Sequence, residues 1–283
     1  MSTQLTRRDT LKLIAATSAA ASAGVQAGTP AAGFVPTKPM DIYAKIRCSL
    51  RDELVPFWYR GQAMVALQDD VPRPILGVEG FSYTRFTRQA DGSWMTRLIE
   101  VGYFTDLMSG AIVDEATNSV NGKRIKPKHF SSSVQSFGIN ADGSVSSERK
   151  VTPPSEFVGR VWAPYRQGTE VWVDEDMLAK LTSDALPPSM REPGPPRMLS
   201  LGAMTSYRSH SADVQNPRLA SAPCTFHLQE LSSLPSWFEL GDVVGKQLWR
   251  LSGRKLATAD EMPAALRARI DKDHPEFVKK PGI

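Results

Sequence analysis

From Phe57 to Val151 the chain alternates short runs of mixed apolar and polar residues with clusters of turn residues. "FWYRGQAMVALQ" breaks at "DDVPRP", "PILGVEGFSYTRFTRQ" runs into "ADGS", and "WMTRLIEVGYFT" runs into "DLMSG". "AIVDEAT" and "RIKPKHF" flank "NSVNG", where Asn121-Gly122 is a strong signal for a tight hairpin turn. "SSVQSFGI" and "SSERKV" are joined by "NADG". Hairpin following hairpin predicts an antiparallel meander rather than alternating strand–helix units.

The two faces of these runs differ less than a half-exposed sheet requires. In "YTRFTRQ", Tyr83, Arg85 and Thr87 oppose Thr84, Phe86 and Arg88. In "WMTRLIEVGYF", Met95, Arg97, Ile99, Val101 and Tyr103 oppose Trp94, Thr96, Leu98, Glu100 and Gly102. A sheet with one solvated face alternates sharply. Neither face here is cleanly polar, so the expected fold class is mainly β: the meander closes into a barrel or strongly curved sheet with a mixed interior. Peripheral helices are expected near 41–53, where Ile42, Ile46 and Leu50 recur every four residues, near 174–185 in "DEDMLAKLTSDAL", and near 260–272 with Leu266 and Ile270 on one stripe.

The N-terminus changes the boundaries of this picture. Arg7 and Arg8 precede an Ala-rich apolar run, Leu13 to Val25, and then "VQA". A charged start, a short apolar core and a small-x-small end describe a secretory signal peptide cleaved after Ala27, and the paired arginines resemble a twin-arginine signal. The reading is a signal peptide at 1–27, a Pro-rich leader at 28–40 and a single barrel-like domain at 41–283, located in the periplasm without a membrane anchor after cleavage. Losing residues 1–27 removes three basic residues and one acidic one from a chain of net charge +4, which leaves +2. No run concentrates basic residues as a nucleic-acid-binding face does. Cys48 and Cys224 have no Cys or His at metal-ligand spacing, and two buried thiols are expected rather than a disulfide.

"IEVGYFTDLMSGAIVDEATNSVNGKRIKPKHF" and "PSWFELGDVVGKQLWRLSGRKLATADEMP" carry a strand-Asp-x-x-x-Gly hairpin (Asp106, Gly110), an Asn-x-x-x-Gly turn (Asn118, Gly122), and a Ser-Trp segment followed by paired glycines (Trp237, Gly241, Gly245). With these features nearly the whole mature chain resembles the bacterial and fungal family known as domain of unknown function 1838. That resemblance implies a single domain and carries no activity with it.

Chemistry is therefore weighed residue by residue. "GVEG" and "GDVVG" lack the helix and the Lys of a phosphate cradle, and no Gly-x-Ser-x-Gly elbow is present, so no cofactor is expected. His129, His210, His227 and His274 are isolated in sequence, and no metal site is assigned to them. Asp106 has the position of a turn former. Glu100, mid-strand between Ile99 and Val101, gains a raised pKa if its face is interior, and Glu79 is a candidate of the same kind. Glu100 and His129 fall on runs separated only by "AIVDEAT", which predicts strands roughly 10 Å apart.

These residues lead to a cofactor-free isomerase, lyase or hydratase acting on a small hydrophobic or aromatic molecule inside the barrel. The candidate acid–base groups are Glu100, His129, Tyr165, Tyr207 and His227, with Tyr103, Trp162, Arg208 and Trp237 as ligand-binding walls. A periplasmic carrier of a hydrophobic ligand, or a metal-dependent enzyme using the histidines, are the alternatives.

Overall fold

The structure, a computed structural model, describes residues 35–147, 156–185, 191, 194–279 and 281–283. Residues 1–27, expected as a signal peptide, and most of the Pro-rich segment 28–40 lie outside the described residues. The chain forms a closed ten-stranded antiparallel barrel with a few helices. Around the wall run β11 (Glu170–Thr182), β12 (Met198–His210), β13 (Thr225–Ser233), β14 (Gly245–Lys255), β1 (Leu54–Leu67), β2 (Arg73–Arg88), β3 (Trp94–Thr105), β7 (Gln135–Ile139), β8 (Ser144–Ser147) and β9 (Glu156–Val161). Pairing of β9 with β11 closes the ring. β6 (Phe130–Ser131) pairs with β3, β10 (Tyr165–Gln167) pairs with β11, and β4 (Ala116–Thr117) with β5 (Arg124–Ile125) form a separate hairpin. No helix among the described residues is long and apolar enough to cross a membrane.

Two sequence expectations are corrected. Residues 174–182, expected as helix, belong to β11, and only Ser183–Ala185 form a short 3-10 turn. Val171, Val173, Glu175, Met177 and Ala179 take one side at period two, and the strand is paired on both edges, with β12 and β9. Pairing on both edges outweighs the helix preference of "DEDMLAKL". Nor does "AIVDEAT" stand between β3 and the next wall strand: it contributes an isolated bridge at Ile112 and the two residues of β4, while β6 and β7 pair with β3 directly. The β4–β5 turn is tied elsewhere, by Asn118 Nδ2 donating to the Phe238 carbonyl (2.6 Å) and Ser119 Oγ to the Pro74 carbonyl (2.7 Å).

One barrel end is stoppered by α1 (Pro39–Arg47), which begins with Pro at its first position as helices favour. Met40, Tyr43, Ala44 and Ile46 are buried against Val55, Phe57, Phe86, Trp94, Val161 and Val173 from around the wall. Polar ties fix the angle of this stopper. Buried Asp41 accepts from Trp94 Nε1 (3.2 Å) and pairs with Arg88 (3.4 Å). At the helix C-terminus Lys255 Nζ, from the end of β14, donates to the carbonyls of Lys45 (3.2 Å), Cys48 (2.8 Å) and Ala222 (2.8 Å) and contacts Ser221 Oγ (2.9 Å). A lysine near the last turn satisfies carbonyls that the helix leaves open. The opposite end is closed by a 3-10 turn, Ser236–Phe238, whose Phe238 packs with Ile75, Leu76, Phe104 and Ile125. Outside the barrel, α3 (Ala264–Asp273) lays Leu266 and Ile270 on Phe81, Val101 and Tyr103. This is why the outer face of β2 and β3 reads as apolar.

A row of glycines shapes the interior. Gly253, Tyr59, Gly80 and Gly102 are cross-strand partners on β14, β1, β2 and β3. A Cβ on Gly253 would meet the Phe226 ring at 2.4 Å, on Gly80 the Tyr59 ring at 2.3 Å, and on Gly102 the Phe130 ring at 2.1 Å. Each ring lies across the glycine of the next strand, a close approach that a side chain there would block.

Two outcomes follow. Lys255→Met removes the ammonium that joins the carbonyls of Lys45, Cys48 and Ala222, two of which keep a second donor in the Ala222 amide and the Ser221 hydroxyl, and should lower the unfolding free energy by about 1–3 kcal/mol, read from urea midpoints; an unchanged midpoint would deny Lys255 its role as a clasp. Gly80→Ala drives a methyl into the Tyr59 ring and should cost about 1–3 kcal/mol in the same assay, while Gly202→Ala, whose methyl would meet nothing nearer than Leu178 Cδ1 at 3.9 Å, should give no such clash.

Candidate functional site

Residues facing the barrel axis between the two plugs are only partly covered. Leu98, Glu100, Gln135, Phe137, Met177, Glu175, Leu228, Glu230 and Trp249 all retain accessible surface although protein surrounds them on the inward side of a closed wall. They front an internal space. Eight strands make a barrel that side chains just fill, and ten make a wider one.

Into this space the elements deliver seven polar side chains. α1 supplies Tyr43 and Arg47, one helical turn apart and therefore on one side of the helix. The wall supplies Tyr59 from β1, Glu100 from β3, Glu175 from β11, Tyr207 from β12 and Glu230 from β13, each at an inward register position. They form two linked groups.

The first surrounds Glu175. Tyr43 Oη donates to Glu175 Oε2 at 2.8 Å, and the Tyr207 hydroxyl faces the same carboxyl. The Arg47 guanidinium lies between two rings, 4.8 Å from the Phe57 centroid and 5.1 Å from that of Tyr207, and its Nη1 donates to Thr84 Oγ1 at 3.1 Å. Burial raises the pKa of Tyr43 and Tyr207 well above that of a free tyrosine, and the Glu175 charge adds to it.

The second group is Glu100, Tyr59 and Glu230. β3 and β13 are separated around the ring by β2, β1 and β14, so Glu100 and Glu230 approach from facing walls. The Tyr59 hydroxyl, brought over Gly80, faces Glu100. Burial raises both carboxyls. Arg47 and Tyr59 partly relieve Glu100, whereas the Glu100 charge pushes Glu230 further, to about 7. Arg47 and Tyr59 thus favour the ionised form of Glu100, while its neighbour's charge favours the protonated form of Glu230.

Of the residues singled out in the sequence, Glu100 and Tyr207 reach this space. The others lie elsewhere. His129 sits beside β3 near the outer helix: its Nδ1 accepts from the Phe104 amide (3.1 Å) and its Nε2 contacts Asp114 (3.1 Å), which Arg269 of α3 also holds (2.9 Å). Desolvation lowers the His129 pKa, and the Asp114 contact opposes that. The structure thus does not bring Glu100 and His129 together. Tyr103 lies on the outer face beneath α3, with Arg269 5.5 Å from its ring centroid. Tyr165 stacks on Trp172 outside the barrel, and Arg208 lies 5.5 Å over the same Trp172 ring. Trp162 donates from Nε1 to Asp176 (2.7 Å), and His227 contacts Ser252 Oγ (2.9 Å), both on the outer surface. Glu79, also outward, accepts from Trp58 Nε1 at 2.8 Å. His210 caps the short helix α2 (Ser211–Gln215) by accepting from the Ala212 amide, and Asp106 accepts from the amides of Met108 and Ser109 within its turn. Trp237 packs 4.9 Å from Phe104 at the far plug. Cys48 and Cys224 are buried free thiols, with Cys48 raised to about 11 by burial. Among the described residues no group of three or more His, Cys, Asp and Glu is close enough to hold a metal ion.

Sequence reasoning missed Tyr43, Arg47, Tyr59, Glu175 and Glu230. Signals for some were present. "TFHLQEL" alternates Phe226, Leu228 and Glu230 against His227 and Gln229, which sets Glu230 on the apolar side. Val171, Val173 and Glu175 alternate in the same way, hidden by the helix assignment.

Comparison with known proteins adds one local likeness. The family described as "Protein of unknown function (DUF1838)" matches residues 198–282, the segment from β12 through α3. This segment holds Tyr207, Glu230 and Lys255 and leaves out Arg47, Glu100 and Glu175. No curated protein and no solved structure matches the chain.

Proposed function

We propose that the barrel takes up a small hydrophobic or aromatic molecule and moves a proton on it without a cofactor, as an isomerase, lyase or hydratase does. The observation that carries this reading is the Glu100–Glu230 pair. Two carboxyls from facing walls of one enclosed space, one with Arg47 and Tyr59 favouring its ionised form and the other pushed up to about 7, make a ready acceptor and donor. Glu100 is then the base, Glu230 the acid, and Tyr59 the neighbour that steadies the Glu100 carboxylate. Rings of Phe226, Phe130 and Trp249 supply the apolar surroundings, and such mixtures of apolar lining with a few placed polar groups are what small-molecule sites are made of. The signal-like residues 1–27 support a periplasmic location for this chemistry.

The test is proton exchange from D2O, followed by NMR, into a panel of small aromatic and aliphatic carbonyl and unsaturated compounds. Glu100→Gln should slow exchange by roughly 100- to 10,000-fold, the usual contribution of a positioned base. The wild-type rate should fall as the pH rises through about 7, because Glu230 then gives up the proton it must donate. Panel members that bind, seen by native mass spectrometry, yet never exchange in wild type would favour a carrier instead.

A stability measurement checks the titration separately. The folded pKa of Glu230, about 7, lies above its ordinary 4.5, so the native state holds an extra proton between those values. Stability should therefore be fuller below 4.5 and decline as the pH rises through about 7. Glu230→Gln should flatten that decline, which amounts to roughly 3 kcal/mol. A wild type equally stable at both ends of the window would rule out the raised pKa.

A further inference from the structure

Arg47 is a lumenal cation with no ion-pair partner among the described residues. Its recorded hydrogen bond goes to the neutral Thr84 hydroxyl, and no carboxylate oxygen among the described residues comes within 4.0 Å of its nitrogens. A guanidinium has five N–H donors in a planar fork. The Phe57 and Tyr207 rings flank it at 4.8 and 5.1 Å, and the residue is only partly covered. The charged and titratable groups around it are Tyr43, Tyr207, Glu175, Glu100 and Cys48. Tyr43 and Tyr207 are turned to Glu175, which is engaged at 2.8 Å by Tyr43. The neighbouring cation Lys255 is already committed to three carbonyls and Ser221.

A carboxyl shut inside a barrel can discharge itself by taking a proton, and a guanidinium cannot. Glu230 answers its enclosure in this way, while Arg47 remains charged with donors unused. Retaining an incompletely paired buried cation is costly unless something supplies the opposite charge.

We propose that Arg47 anchors the carboxylate of a small aromatic or aliphatic acid, whose hydrocarbon part extends down the lumen toward Tyr59, Glu100 and Glu230. The carboxylate accepts two N–H groups of the fork in parallel, the geometry in which Arg binds such groups most selectively. The hydrocarbon lies among the rings stacked over the glycine row. This assignment rests on the lumen being the binding space, as in the functional reading above, and is independent of whether a proton is moved there. It names the substrate class: monocarboxylates with an apolar body of about one ring.

The experiment is isothermal titration calorimetry on the full chain with three probes of one shape: 3-phenylpropanoate, 3-phenylpropan-1-ol and 3-phenylpropylamine. Wild type should bind the acid about 10- to 100-fold more tightly than the alcohol, the range of a charge-assisted hydrogen-bonded pair. Arg47→Met should erase that preference and leave alcohol affinity within about threefold, and Arg47→Lys should keep a weakened preference. Circular dichroism verifies folding of both variants, and the wild-type ranking stands as a test even if neither folds. Tightest binding of the amine, or a preference for the acid that survives Arg47→Met, would overturn the assignment while leaving a lumenal site intact. Binding of none of the three by folded wild type would overturn the assignment and the lumenal reading together.

Discussion

A closed ring of ten strands is wider than the eight-stranded ring that side chains just fill, and the rest of the molecule answers to that constraint. Both ends of the tube must be stopped, or bulk water would reach the apolar lining. α1 stops one end and the Ser236–Phe238 turn the other. Between them the wall has no partner layer to pack against. Partly covered Leu98, Met177, Leu228 and Trp249 are the result. The outer surface obeys the ordinary rule: where α3 covers β2 and β3, Phe81, Val101 and Leu266 bury one another.

The polar groups within the tube take their properties from the same enclosure. In water three carboxyls, three tyrosines and one arginine would each be solvated independently. Inside, each must find its partner among the others. Glu175 finds tyrosine hydroxyls, Glu100 finds Tyr59 and the field of Arg47, and Glu230 finds chiefly another carboxyl. The gradient of proton affinity from Glu100 to Glu230 follows from those surroundings, since both residues start as the same side chain. A stopper helix that carries Arg47 into the lumen also joins closure of the barrel to its electrostatics: the element that excludes water delivers the lasting positive charge.

The fold was legible because hairpin punctuation and period-two alternation are local. "ADGS", "NADG" and "NSVNG" mark turns whatever the strands pack against, and the weak contrast between faces of β3 reflects a real covering on both sides. The same weak contrast hid the site. With α3 covering the outside, Tyr103 and Val101 look as interior as Trp94 and Leu98, and a one-residue choice of face exchanges the lumenal set for the outer one. His227 and Glu230 are on one strand, three residues apart, and therefore point oppositely. Histidine attracted notice as a titratable group, while Glu230 drew none until the wall closed around it. Arg47 was invisible for another reason: a helix stripe of Ile42, Ile46 and Leu50 predicts a helix lying on a surface, not one stopping a tube and turning Tyr43 and Arg47 into it.

The rings lying across Gly80, Gly102 and Gly253 separate two things that most binding sites entangle. The contour at mid-lumen is set by where backbone lacks a Cβ, so it belongs to the main chain of β2, β3 and β14. The reactive character belongs to what each ring carries at its tip, a hydroxyl on Tyr59 and nothing on Phe226 or Phe130. Exchange of Tyr for Phe at such a place alters one oxygen and leaves the mould untouched. A barrel built this way is free to change what it does to an occupant while continuing to admit occupants of the same shape.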